Sequence, residues 1–425
     1  MRRALAAAVV VACALAAPAE AARTVVIKGR GWGHGIGMSQ YGALGRAEAG
    51  HSARRILRHY YRGTRIRRTS VPRKVRVGLI DGRGVVHLRS RARRAGGGRV
   101  VIGRAASGRR IASGGAGDRW RAEASGTGGI RLYRNGVRVK RRGRTVFGKP
   151  DRPLAARYAG FGTLLRIRQK GLAYAHGKLV LGTYRGACRP GFCLRVVLKL
   201  SMQKYLLGLG EMPASWPAAA LRAQAIAGRT YALNRIRTYG QHRYPCDCAV
   251  YDGSGDQVYI GDARRTGSGA WWDDWRSAVA RTRGLAVVRR GRPIQALYSS
   301  SSGGHTENNE NVWGGTALPY LRGVRDRFDG VDDNPNFRWR VEMRWKRLSA
   351  KLDRAFGTGK LVKVSLVRPF GVSGRVTVAT PTGGGVRIAG SARTVRVDGW
   401  ALRSALDLKD TWFRIRVRRA AGPRA

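Results

Sequence analysis

The stretch Tyr205–Tyr239, YLLGLGEMPASWPAAALRAQAIAGRTYALNRIRTY, constrains this chain more than any other. Its first residues read as a strand-like apolar lead. Ser215 then stands where a helix N-cap belongs, and Pro217 falls in the first turn, where its missing N–H costs nothing. Beyond them Leu221, Ala225, Gly228, Ala232 and Ile236 recur at three- and four-residue steps. That spacing predicts a long helix with one narrow face of small residues. Such a face allows close approach of its neighbours, so the helix suits a central, buried position.

The regions around this helix read differently. Residues 65–200 alternate apolar and polar in runs such as Val75-Arg76-Val77 and Val137-Arg138-Val139, broken by glycine clusters. The tail does the same in Val362–Leu366 and Arg375–Val378, with a short helix expected near Trp400–Leu408 and a closing strand near Trp412–Val417. Ahead of them all, Ser52 is placed to cap a short helix carrying Ile56, Leu57 and Tyr60. The fold class expected is α+β, β-rich, with a central long helix following Glu211.

The net charge of +59, from 83 Lys plus Arg against 24 Asp plus Glu, suggests a polyanionic partner. Nucleic acid is a poor fit. The cations are spread along the whole chain, and no helix-turn-helix, RRM or finger spacing is present. Arg2, Arg3, the apolar run Ala4–Ala17 and Ala19-Glu20-Ala21 together read as a secretory signal over residues 1–21. An exported cation meets wall phosphates and acidic glycans first, so anionic wall polymers are the expected partners. Of five cysteines, Cys13 leaves with that signal, and four remain for an oxidising compartment. Cys188 and Cys193 bracket a turn sequence and are expected to bridge. Cys246 and Cys248 read as too close for an easy mutual bridge.

Glu211 is the carboxylate that stands out. It lies in Leu-Gly-Glu-Met-Pro-Ala-Ser-Trp, between an apolar segment and a helix start. Apolar neighbours would desolvate it and raise its pKa, as a general acid at neutral pH requires, while a nearby helix N-terminus would favour the anion. The structural alternative is a glutamate that accepts backbone N–H groups.

The run EMPASWPAAALRAQAIAGRTYAL resembles the signature of the SpoIID/LytB family. CDCAVYDGSGDQVY (Cys246–Tyr259), TRGLAV (Thr282–Val287), LYSSSSGGH (Leu297–His305), Val312-Trp313-Gly314 and Leu318–Leu321 follow in the family's order, as does Val397–Trp400 later. One block departs from that order. GWGHGIGMSQYGA, Gly31–Ala43, resembles a segment that usually closes the family's domain, and here it stands near the start. It is expected to fold back beside Glu211, a permutation that is tolerable when chain ends lie close together.

The resemblance implies a peptidoglycan lytic transglycosylase with Glu211 as its catalytic residue. Tyr298, Ser301 and His305 would line the sugar groove, joined by His34 and Gln40 from the displaced block. A reaction by hydrolysis would instead need a second carboxylate, such as Asp252, Asp256 or Glu307. The alternative within the family is a non-catalytic wall-binding protein that stimulates an autolytic amidase. No cofactor is required by this chemistry. Some relatives hold zinc in the segment where this chain has His242, Cys246 and Cys248, so a structural zinc competes there with a disulfide to a distant partner; no fourth ligand is visible nearby. The expected organisation is a permuted block over 22–64, a β-rich region over 65–200, a catalytic core over 201–330, and a β-rich tail over 331–425 belonging to the same domain. The expected location is outside the cytoplasm, at the cell wall.

Overall fold

The computed structural model describes residues 23–158, 162–332 and 334–418. The expected signal lies outside them. Among the described residues no helix is long and apolar enough to cross a membrane. The fold is α+β with more strand than helix, as expected.

The chain forms two compact units, divided otherwise than the sequence reading had it. The larger holds residues 32–310 and 315–337. The smaller holds, of the described residues, 23–31, Asn311–Gly314 and 338–418. The tail is therefore a unit with its own core, and it takes the strand Thr24–Arg30 away from the glycine-rich block. The reason is pairing. Thr24–Arg30 is the middle strand of a three-stranded antiparallel sheet, flanked by Arg338–Arg344 and Phe413–Arg418. Val25 and Ile27 point into a core with Leu348, Leu352, Ile388, Leu402 and Phe413. A second three-stranded sheet, Leu361–Leu366, Val386–Gly390 and Thr394–Val397, completes this unit.

In the larger unit the alternating region becomes two seven-stranded sheets. One is centred on Val75–Arg83, Phe192–Leu200 and Lys178–Arg185; the other on Arg119–Ala124, Val85–Ala92 and Thr163–Ile167. Their inward residues, including Val77, Leu198, Leu88, Trp120 and Leu165, share one core with Leu221, Ala225 and Ala232 of the long helix. That helix runs from Ala218 to Tyr239. Pro217 occupies its N-cap position, without a side-chain cap bond, so Ser215 is not the cap. The expected narrow apolar face is also too modest. From Ala220 to Leu233 almost every residue is buried, Gln224, Arg229 and Thr230 included. Helices Gln40–Glu48, Ala53–Tyr60 and Trp272–Arg281 and the strand Leu285–Arg289 surround it. Gly228 shows why small residues are needed. A Cβ there would stand 3.0 Å from Leu209 and 3.2 Å from the Gln257 amide.

Candidate active site

The segment carrying Glu211 follows a short helix, Met202–Leu207, capped by the Ser201 hydroxyl, where the apolar lead had read as strand. The misreading has a simple cause: Tyr205 and Leu206 are buried, and a run of six residues shows no period long enough to separate helix from strand. The chain then extends past Gly208 and pairs locally with residues 258–260. Gly210 N donates to Val258 O (2.9 Å), Ile260 N donates to Gly208 O (2.9 Å), and Leu209 bridges Tyr259. Two buried side chains hold the next carbonyls. Gln40 Nε2 donates to Glu211 O (2.9 Å), and Arg264 Nη1 donates to Met212 O (2.7 Å).

The Glu211 carboxyl is fixed through one oxygen. Oε1 accepts from Val258 N (2.7 Å) and from the Tyr298 hydroxyl (2.9 Å). The other oxygen has no protein partner within the described residues and is reached by solvent. Burial pushes the Glu211 pKa up to about 7, against the lowering effect of the Val258 N–H and the Tyr298 hydroxyl. Both alternatives raised from the sequence are therefore present at once: the carboxyl is desolvated, and it accepts a backbone N–H. That N–H comes from Val258 and not from a helix N-terminus.

Behind Tyr298 runs a buried relay of hydrogen bonds. Gln257 Nε2 donates to Tyr298 Oη (2.8 Å) and to Gly228 O (3.2 Å), and the Tyr205 hydroxyl donates to Gln257 Oε1 (2.8 Å). With its amide oriented from both sides, Gln257 leaves the Tyr298 hydroxyl free to donate only toward Glu211. Gln257 lies inside the CDCAVYDGSGDQVY stretch, but nothing in its type or spacing marked it as a support for Glu211.

The glycine-rich block near the start of the chain reaches this site. Met38 and Ser39 pair in parallel with Tyr298 and Ser299, and Trp32 bridges Ser301. Besides Glu211 O, Gln40 Nε2 reaches Gln224 Oε1 (3.3 Å) on the long helix. The Tyr41 ring packs on Trp216 at 5.1 Å between centroids. The expected site residues thus separate into groups. Tyr298 and Gln40 meet Glu211. His34 and His305 are half-buried, and each ring is engaged by its own loop: Ile36 N donates to His34 Nδ1 (3.0 Å), and His305 Nδ1 lies 2.7 Å from Thr306 O.

Ser301 cannot line a groove. It is fully buried, with its hydroxyl donating to Asp329 Oδ2 (2.7 Å). Asp329, unnoticed in the sequence, ties the glycine-rich block to the serine-rich loop. It also accepts from the Ser39 hydroxyl (2.5 Å), Ser302 N (3.1 Å) and Gly303 N (2.7 Å). Beside it Asp326 accepts from the Tyr60 hydroxyl (2.8 Å) and the Ser302 hydroxyl (3.0 Å), and burial with the neighbouring Asp329 charge pushes its pKa up to about 7.

The acids considered for a second role are all engaged. Asp256 is held by Arg235 (2.9 Å) and Arg243 (2.7 Å), Asp252 pairs with Lys170 (2.9 Å), and Glu307 is fully buried. The zinc ligand set does not fit. Cys246 and Cys248 are joined to each other, against the expectation from their closeness, so neither offers a thiolate. Asp247 between them takes φ of 55°, which brings their Cα atoms to 5.2 Å, and its carboxylate engages His242 Nδ1 (2.5 Å). Cys188 and Cys193 are bridged as expected.

Comparison with known proteins finds relatives of the segment that carries Glu211. Residues 193–288, which include Glu211, Gln257 and the long helix, match the model of the SpoIID family, stage II sporulation protein. An amidase enhancer of Bacillus subtilis (strain 168) is 34% identical over 141 residues, covering 33% of this chain and 17% of that protein. Stage II sporulation protein D of the same organism is 29% identical over 178 residues, 39% of this chain and 50% of that protein. An uncharacterized protein of Brachyspira hyodysenteriae is 39% identical over 131 residues, 30% and 33% of the two chains. The chain spans half or less of the length of these relatives. Over this shared segment the chain is similar to the SpoIID/LytB family.

Proposed function

We propose that this protein acts on the cell wall outside the cytoplasm, as a lytic transglycosylase that cleaves peptidoglycan glycan strands with Glu211 as acid and then base. The observation that carries the reading is the Glu211 carboxyl: one oxygen pinned by Val258 and Tyr298, the other open, and a pKa near neutrality. A carboxyl with a pKa of about 7 is substantially protonated at neutral pH and is still a competent donor. It gives its proton to the glycosidic oxygen as the C1–O bond breaks and an oxocarbenium-like sugar develops. The 6-hydroxyl of the same muramic residue then attacks C1, and its proton passes to the Glu211 carboxylate. The ring closes as a 1,6-anhydro end and the enzyme returns to its starting state, so no second carboxylate and no water are consumed. Tyr298 and Gln257 act as positioning residues by fixing the rotamer of Glu211.

The test is mass spectrometry of glycan, with and without stem peptides, after incubation with the full chain and with Glu211→Gln. The expected product carries a 1,6-anhydro muramic end and is nearly absent with the variant, which still folds and binds glycan. A reducing end would mean hydrolysis. The name of the relative called amidase enhancer favours a second reading, a wall-binding protein that stimulates an amidase. Cleavage by neither protein, with equal amidase stimulation by both, would establish that reading instead.

A further inference from the structure

A cleft of about 590 Å³ opens at the Cys193 end of the strand Phe192–Leu200, and neither Glu211 nor the residues that hold its carboxyl line it. Its walls are two turns distant in sequence. One is the Cys188–Cys193 turn between adjacent strands; the other is Tyr244–Pro245, directly before the Cys246–Cys248 bridge. Each wall is therefore stapled by its own disulfide. Arg195 Nη1 donates to Pro245 O (3.3 Å), and the Tyr184 and Tyr244 rings meet edge to face at 6.0 Å, which ties the walls together.

The lining is specific in chemistry. Arg83, Arg185 and Arg189 face the cleft, and no carboxylate lines it. The guanidinium groups of Arg83 and Arg189 have no hydrogen-bond or ion-pair partner among the described residues, while Arg185 is steadied over the Phe192 ring at 5.3 Å. Asp81, on the strand that forms the floor, already accepts the Tyr251 hydroxyl (3.1 Å). Tyr244 is 73% exposed, a large aromatic face left open beside three guanidinium groups.

We infer that this cleft docks an acidic glycan, a sugar polymer bearing phosphate or carboxylate groups, with a sugar face against Tyr244 and its charges on Arg83, Arg185 and Arg189. Guanidinium groups match either anion through paired N–H donors. The aromatic ring supplies the apolar contact that a bare polyanion would not use. The site binds independently of the reaction at Glu211, and it would hold the protein on the wall by adding a second point of attachment.

The experiment measures binding of the full, oxidised chain to three probes at fixed, near-physiological salt: polygalacturonate, phosphorylated dextran, and inorganic polyphosphate, which has no sugar. Arg185→Gln with Arg189→Gln should weaken binding to at least one charged glycan by roughly tenfold, the scale of one or two lost charge-assisted hydrogen bonds. The glycan more affected identifies phosphate or carboxylate as the preferred charge. Tyr244→Ala should weaken the same glycan several-fold and leave polyphosphate unchanged. Arg138→Gln with Lys140→Gln, which removes equal charge from an exposed hairpin elsewhere, should change binding less than twofold. Glu211→Gln should bind as the unaltered protein does, and thermal unfolding should show each variant folded. Equal losses in the cleft and hairpin variants would overturn the proposal, because diffuse charge would then explain the binding. Tighter binding of single-stranded DNA than of either glycan, with the same dependence on Arg185 and Arg189, would also overturn it.

Discussion

Glu211 and Asp326 are both carboxyl groups pushed up to about 7 by burial, yet their surroundings are opposite in kind. Asp326 is packed among Tyr60, Ser302, Arg46 and a second carboxylate, Asp329, which is itself saturated by two hydroxyls and two backbone N–H groups. Glu211 has one oxygen held and the other open to solvent. A raised pKa marks desolvation in both places. Only the open oxygen gives one of them somewhere to send a proton. Asp326 Oδ1 also lacks a hydrogen-bond partner, but it is buried; a perturbed pKa thus nominates residues, and solvent access to the unfilled oxygen chooses between them.

The sharpest way to break this contrast is a pair of isosteric changes. Glu211→Gln should lower glycan cleavage by roughly a hundredfold to ten-thousandfold, the range for one acid–base group. Asp326→Asn should leave turnover within a few-fold wherever the protein is folded. Comparable losses at both positions would erase the distinction. Asp329→Ala should act on stability instead. It strands the hydroxyls of Ser39 and Ser301 and the N–H groups of Ser302 and Gly303, at a cost of about 3–5 kcal/mol read by urea unfolding. The 1,6-anhydro product should be unchanged below the unfolding transition.

The pH dependence follows from the sign of the shifts. Both folded-state pKa values lie above those of the unfolded chain, so between the ordinary carboxylate range and about 7 the folded protein binds more protons. The contribution of these groups to stability therefore falls as pH rises through that window and levels off above it. Each contributes up to about 3–4 kcal/mol at 1.36 kcal/mol per pKa unit. Thermal unfolding of Glu211→Gln and Asp326→Asn across pH 4–8 should show a flatter decline than the unaltered protein; an unaltered slope in both would contradict the assigned shifts. The smallest effect is expected from Tyr298→Phe. Losing the hydroxyl that favours the anion should move the alkaline limb of kcat/KM upward by about one unit or less. A downward shift would show that Tyr298 does not donate to Glu211.

The parts of this design that were legible in the sequence are those set by local chemistry or strong period. The helix through Leu221, Gly228 and Ile236 was legible from its small-residue spacing, and the Cys188–Cys193 bridge from its turn. Glu211 was legible as a carboxyl among apolar neighbours. What escaped depends on distant partners. Ser301 reads as a polar groove residue until Asp329 is seen beneath it. Gln257 is an ordinary polar residue until Tyr205 and Tyr298 arrive on either side. The Cys246–Cys248 bridge depends on a left-handed Asp247, which a non-glycine residue adopts only where its surroundings support it. The strand-like reading of the lead from Tyr205 failed because the helix that holds its first residues, Met202–Leu207, is too short to reveal a period.

The middle strand Thr24–Arg30 has consequences for the order of assembly. Its register sets Thr24 opposite Arg344 on one side and Arg418 on the other, so both neighbours come from the far end of the chain. A chain that crosses a membrane amino end first would present this strand early and leave its backbone groups unpaired for longest. Closing so long a loop is entropically slow to begin and adds little cost once begun, because the penalty grows only with the logarithm of length. The larger unit, whose two seven-stranded sheets pair within residues 75–251, can begin to form during that wait. Maturation of the smaller unit is then gated by delivery of the last strand, and a chain ending before Phe413 would keep its first strand as an open edge available to other chains.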